Sequence, residues 1–292
     1  MALGPQDLVL SSMSLARVER GSAAGVPLSV VRAPLEDRCV AAAAGGFAGL
    51  GIGPQIYDNE RRLGRSDQDI AAMLASYGLV LSELDTAIGL AGPAEMERLR
   101  PTVDYLLHIT SALRAEQVYI IASPGVPTDE LAAGFAWMCD LFAQYGARVG
   151  IEFMDLPQLS GLPDAQAALE VVLAAGRDNG GVVVDAYHQV NGTDDWTQLE
   201  HLPGDRVIGV QLSDCAVPRQ SPDYLEDTMH NRRLPGDGDV DLVRFVRIMD
   251  AIGASCPYSL EVISEELSAL PAARVGELLG SATRQIFDIA RR

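Results

Sequence analysis

Four oxygen-bearing side chains, Glu152, Asp185, Gln211 and Glu261, each close a short apolar run: VGIEF, VVVDAYH, VIGVQLSD and YSLEVIS. Each run reads as a β-strand and brings one of these groups to its C-terminal end. A single carboxylate there has an ordinary explanation, such as pairing with an arginine. Three carboxylates and an amide gathered at one rim are harder to explain that way, because buried like charges are strongly unfavourable without a cation. A divalent ion resolves the conflict. An all-oxygen donor set suits Mn²⁺ or Mg²⁺ better than a thiolate-seeking metal, with Co²⁺ or Zn²⁺ as further candidates. Glu83 and Asp85 end another such run, LSELD, while His188 stands three residues beyond Asp185 and Asp214 three beyond Gln211.

These groups meet only if the strands lie side by side and parallel. Candidate strands fall at 8–14, 48–51, 79–84, 118–122, 149–152, 182–185, 207–212 and 258–262. Several are continuously apolar, as at Val182, Val183 and Val184, which is how a parallel strand buried on both faces reads. Helical patterns separate them. Ser66 caps one that runs to Tyr77 and stops at Gly78. Thr128 opens another, with Asp129 and Glu130 at its positive end and Gly146 as its stop. A third covers 240–252 before Gly253, and weaker ones fit 34–44, 94–114, 163–175, 195–202 and 271–290. Eight strands alternating with helices, unbroken by any linker, predict an α/β fold: a single (β/α)8 TIM barrel over residues 1–292. A doubly wound sheet would place a glycine-rich turn after its first strand, and none is present here.

Composition narrows the partners. The chain has 292 residues, 48% of them hydrophobic, with a net charge of −18. That size suits one barrel, and that charge argues against nucleic acid and anionic membrane. The four cysteines are far apart, with no CxxC, so neither a disulfide framework nor a zinc knuckle is expected. The start, MALGPQDLVL, lacks the features of a signal peptide, and no run reaches the roughly 18 apolar residues of a membrane span. A cytoplasmic protein is expected. The expected partner is a small polyol, ketose or cyclic keto-acid, and a homo-oligomer is compatible with this composition.

Glu on the fifth strand, DxxH on the sixth and Glu on the eighth resemble the xylose isomerase-like TIM-barrel superfamily of sugar isomerases and epimerases. The stretch RRLPGDGDVDLVRFVRIMDAIG (232–253), with its R-x-PGxGxxD core ahead of the Glu-bearing strand, adds to the resemblance, which covers about residues 148–262. It implies that Glu152, Asp185, Gln211 and Glu261 are metal ligands and that His188 and Arg233 contact substrate oxygens. One position departs. The epimerases usually place histidine where this chain has Gln211, and glutamine there resembles the 3-dehydroshikimate dehydratase branch.

Both branches begin alike: the metal acidifies a C–H beside a carbonyl and stabilises the enediolate. Glu152 or Glu261 is then the expected base, with His188 as a further catalytic group. An isomerase or epimerase returns the proton, whereas a dehydratase expels a β-hydroxyl. The motif as a whole favours a metal-dependent sugar or sugar-phosphate isomerase or epimerase. Gln211 and the arginines favour a dehydratase acting on 3-dehydroshikimate or an inosose. A non-catalytic binding barrel is a third reading. Arg61, Arg62 and Arg65 follow the second strand and can meet an anionic substrate, or simply face water. Tyr57 and Asn59 share their loop. Arg65, Tyr57 and Glu83 are the remaining candidates for substrate contact. A related endonuclease branch needs more histidines than the four present and a basic face.

Overall fold

Parallel strands with helical crossovers bury both faces and leave no sheet edge when they close on themselves. The protein is described by a computed structural model covering residues 3–20 and 28–292. Its barrel strands are β1 (Leu8–Leu10), β4 (Gly49–Ile52), β5 (Val80–Leu90), β6 (Gln117–Ala122), β7 (Arg148–Glu152), β8 (Gly180–Asp185), β9 (Val207–Leu212) and β10 (Tyr258–Leu260). All neighbours are parallel, and β1 pairs with both β10 and β4, so the ring closes. The predicted eight-stranded barrel is the fold observed. Among the described residues, no helix is long and apolar enough to cross a membrane.

Several helix ends follow from the sequence. Ser66 and Asp69 form a reciprocal capping box on the Asp67–Ser76 helix, and Asp241 caps Leu242–Ala251 through the Arg244 amide. The pattern at 94–114 is two helices, Pro93–Arg98 and Arg100–Leu113. Close packing needs small residues at one crossing: a Cβ on Gly276, in the Ala272–Ala290 helix, would collide with the Ala41 carbonyl of the Leu35–Gly45 helix.

Three features depart from expectation. Residues expected as loop form the Pro54–Arg62 helix, with proline at its first turn. His188 lies on the short Ala186–Asn191 helix, capped by Asp185, rather than on a loop. The expected first strand ends at Leu10, and the chain then forms an antiparallel hairpin outside the barrel, β2 (Ala16–Arg20) with β3 (Leu28–Arg32). Ala16 is in register with Arg32, so the hairpin returns Arg32 to the place it left.

Side chains alternate along each strand, so every second residue faces the barrel axis. Tyr119, Glu83 and Ser259 all face the interior: Ser259 donates to Glu83 at 2.8 Å, and a Cβ on Gly209 would collide with the Tyr119 hydroxyl. Two residues further along, the same faces present Asp85 and Glu261. Asp185 and Gln211 are aligned on neighbouring strands, and Gln211 is aligned in turn with Ser259.

Candidate metal centre

Glu152 and Asp185 are the last residues of β7 and β8, Gln211 is the last but one of β9, and Glu261 directly follows β10, so all four stand at C-terminal strand ends. Asp185 is fully buried. Its Oδ1 accepts from the Tyr187 amide at 2.8 Å, capping the helix that carries His188, while its Oδ2 turns to the centre. His188 Nε2 lies 3.7 Å from both Glu152 Oε1 and Asp185 Oδ2. Ligating atoms of Glu152, Asp185 and His188 all fall within 4.8 Å of one another. Glu261 Oε1 accepts from Ser11 at 3.3 Å, and its Oε2 lies 3.2 Å from Arg232.

Arg232 is the cation at the centre. Its Nη1 donates to Asp185 Oδ2 at 2.6 Å, and its guanidinium carbon sits 4.4 Å from the Tyr187 ring centroid. The resemblance implied Arg233 instead. Asp214 and Arg233 exchange backbone hydrogen bonds of 3.0 and 2.7 Å, an antiparallel bridge that puts successive side chains on opposite sides. Arg232 therefore turns inward, and Arg233 turns outward to the Asp237 carbonyl at 3.4 Å. Asp214 accepts from the Gly236 and Val240 amides and fastens the PGDG turn.

The electrostatics describe a site short of positive charge. Burial, then Glu261, Asp185 and Asp85, hold the Glu152 carboxyl well above the usual carboxylate range. Burial also raises Glu261, although Arg232 opposes it. Burial works against the Arg232 charge, but Asp185 and Glu261 outweigh it and raise its pKa. Three carboxylates thus face one guanidinium. Gln211 adds a second sign, since its Oε1 is buried without a hydrogen-bond partner. An orphaned acceptor of this kind costs about 1–3 kcal/mol. A divalent cation would satisfy both the charge deficit and the orphaned oxygen, so the donor set fits one.

His188 is pushed down to about 4, first by burial, so it is neutral at pH 7. Its tautomer follows from its neighbours. Arg232 Nη2 stands 3.4 Å from Nε2 and can only donate, so Nε2 carries the lone pair. Nδ1–H then donates to the Tyr224 hydroxyl at 2.8 Å. A cavity of about 240 Å³ opens above these groups, lined by Asp85, Glu152, His188, Arg232 and Glu261 together with Arg32 from the hairpin.

The other expected substrate contacts lie elsewhere. Tyr57 is buried under the Arg100–Leu113 helix, donating to Asp67 at 2.6 Å, with His108 at 3.0 Å. Arg65 pairs with Glu60, Arg61 with Asp67 at 3.2 Å, and Arg62 bonds Asn59 at 2.8 Å. Local carboxylates and amides occupy these arginines, and none lines the cavity. Glu83 sits one layer below the mouth, against Ser259. Asp85 and Arg32 are two charged residues of the cavity for which the sequence suggests no role. Asp85 was visible at a strand end but given no role. Arg32 had no signal, because its hairpin went unrecognised.

Glu83 gives a pH prediction. Burial pushes it up to about 8, with the Ser259 hydrogen bond opposing. The folded protein holds this proton where the unfolded chain has lost it. Its contribution is therefore full below about pH 4.5 and is lost as pH rises through about 8. Glu83→Gln should flatten the decline in metal-free stability between pH 5.5 and 8, by up to about 1.4 kcal/mol per pH unit. Urea unfolding of both proteins across that range checks it; parallel curves would contradict it.

Comparison with known proteins assigns the family. The model of the xylose isomerase-like TIM barrel matches residues 39–282. The chain belongs to that family. A 3-dehydroshikimate dehydratase of Pseudomonas aeruginosa is 26% identical over 244 residues, 81% of this chain and 37% of that protein. This chain therefore spans well under half of that relative's length. An inosose isomerase of Bacillus subtilis is 26% identical over 156 residues, 53% of each chain. Among solved structures of this fold, the IOLI protein with a bound zinc atom superposes with a TM-score of 0.80 at 17% identity, covering 98% of this chain and 99% of that one. The curated relatives matched thus include a 3-dehydroshikimate dehydratase and an inosose isomerase.

Proposed function

We propose that this chain is a divalent-metal-dependent dehydratase of a cyclic polyhydroxy ketone of the 3-dehydroshikimate type. The observation that carries this reading is the buried, unpartnered Oε1 of Gln211, aligned with Asp185 at the mouth. It favours an all-oxygen set of Glu152, Asp185, Gln211 and Glu261 as the metal-holding residues. It also sits where this chain departs from the epimerases toward the dehydratase branch. The dehydratase relative spans more of this chain than the isomerase does.

A divalent ion bound there supplies a positive charge that polarises the substrate carbonyl and stabilises the negative charge developing on its oxygen. Mn²⁺ or Mg²⁺ suits the oxygen donors, and the zinc of the IOLI protein keeps Zn²⁺ among the candidates. The remaining steps belong to the chain. His188 presents a neutral Nε2 lone pair, with Tyr224 fixing the ring through Nδ1. That nitrogen takes the proton from the carbon beside the carbonyl. The imidazolium formed is stabilised by Asp185, whose Oδ2 lies 3.7 Å away. It then returns the proton to the departing β-hydroxyl, which leaves as water. Arg232 holds Asp185 and Glu261 in place throughout.

The isomerase reading remains second, supported by carboxylates at both ends of the ligand arc. Glu152 and Glu261, three strands apart, provide one group to remove a proton and another to return it.

The test incubates Mn²⁺-loaded protein with 3-dehydroshikimate and follows 3,4-dihydroxybenzoate, the product of losing one water. Product should form, stop on chelation, and slow by about a hundredfold or more in His188→Asn. No product, alongside metal-dependent interconversion of inososes, would replace this reading with the isomerase one.

A further inference from the structure

Among the described residues two arginines line the cavity, and only Arg232 has its donors well engaged. Arg232 bonds Asp185, Ser213, Thr228 and Glu261. Arg32 also lines the cavity, but among the described residues its Nε is buried without a partner and its Nη2 reaches only the Met13 sulfur, at 3.1 Å. Sulfur is a weak acceptor for a charged donor. Arg38 compounds the imbalance. It is fully buried and spends its terminal nitrogens on the Ser14, Ser11 and Gly51 carbonyls, while its Nε also lacks a partner. After burial, the charge of Arg32 is the largest influence lowering the Arg38 pKa, so the two guanidiniums repel. A buried donor without an acceptor beside a second cation is a site that favours an anion.

Its position narrows the ligand. Arg32 stands beside Gly53, at the end of β4, where an added Cβ would lie 3.6 Å from its guanidinium carbon. The metal-holding residues lie on β7 to β10, on the other side of the mouth. Met13, Leu156 and Ile263 give the space between an apolar lining, and its volume is about 240 Å³. That is smaller than an ordinary drug-sized site of about 300–1,000 Å³. The space matches one small ring with oxygens at one end and an anionic group at the other.

We propose that Arg32, held over the mouth by the β2–β3 hairpin, is a specificity residue that binds the carboxylate of a ring substrate whose carbonyl end faces the metal centre. The proposal rests on the dehydratase reading for the orientation of the ring, but its test is separable from turnover. Arg32 makes this barrel selective for a carboxylated ring over a neutral one of the same size.

The experiment titrates Mn²⁺-loaded protein calorimetrically with 3,4-dihydroxybenzoate and with catechol, a pair differing only by the carboxylate. Wild type should bind the carboxylated ring roughly ten- to a hundredfold more tightly. Arg32→Gln should erase that preference while catechol affinity stays within about twofold. Arg32→Lys should restore part of it, and unchanged Mn²⁺ affinity in both variants shows that the barrel is intact. Equal wild-type binding of the two rings, or a preference surviving in Arg32→Gln, overturns the proposal. So does a ketose phosphate whose affinity falls in Arg32→Gln while that of the carboxylate does not, since the subsite is then for phosphate. If the carboxylate preference holds but 3-dehydroshikimate is not dehydrated, the dehydratase reading fails and the Arg32 subsite stands.

Discussion

Replacing Asp185 with asparagine should weaken Mn²⁺ binding by about a hundredfold or more while leaving the fold in place. The two oxygens of Asp185 have separate tasks. Oδ1 caps the short Ala186–Asn191 helix through the Tyr187 amide, and an asparagine carbonyl can do the same. Oδ2 faces the site and Arg232 at 2.6 Å, where asparagine offers either an uncharged oxygen or an N–H donor. Hard divalent ions take anionic oxygen preferentially, and losing even an outer-shell partner typically costs about 10- to 100-fold in metal affinity. Calorimetric titration measures the effect, with circular dichroism as the control for folding. Unchanged affinity would place the metal elsewhere.

Arg232→Met should destabilise the metal-free protein by about 3–5 kcal/mol. Methionine keeps much of the buried volume and the contact with Tyr187, but the guanidinium between Asp185 and Glu261 is lost. Removing one partner of a buried ion cluster strands the other charges, and that is its largest cost. Mn²⁺ should recover much of the loss, because a cation again stands among the carboxylates. The variant should therefore show a larger metal-induced rise in Tm than wild type. A metal-free variant as stable as wild type would mean that the carboxylates shed their charge without penalty.

The strand-end carboxylates were legible because one rule governs them: in a parallel barrel, the last inward residue of each strand reaches the mouth. Apolar runs such as VVVD fixed both the strand and the residue that ends it. Arginines follow no such rule. Arg232 and Arg233 are adjacent in sequence, and the backbone bridge from Arg233 to Asp214 decides which faces inward. That pairing joins two loops, and neither loop's sequence announces it. Arg61, Arg62 and Arg65 looked available in a loop, but a helix forms there and neighbouring acceptors engage them. Nothing in the sequence marks Arg32, because its hairpin follows a first strand that ends at Leu10 and not at residue 14. Glu83 shows the reverse error. It was placed in the correct strand, but the register puts it one layer below the mouth.

The proposed function requires four oxygens from adjacent strands to hold one divalent ion. Crystals soaked in Mn²⁺ and measured for anomalous scattering test it directly. One strong peak is expected at the barrel mouth, within about 2.0–2.6 Å of an oxygen from each of Glu152, Asp185, Gln211 and Glu261. A peak that leaves the Gln211 oxygen unligated, or no peak at saturating Mn²⁺, would contradict it.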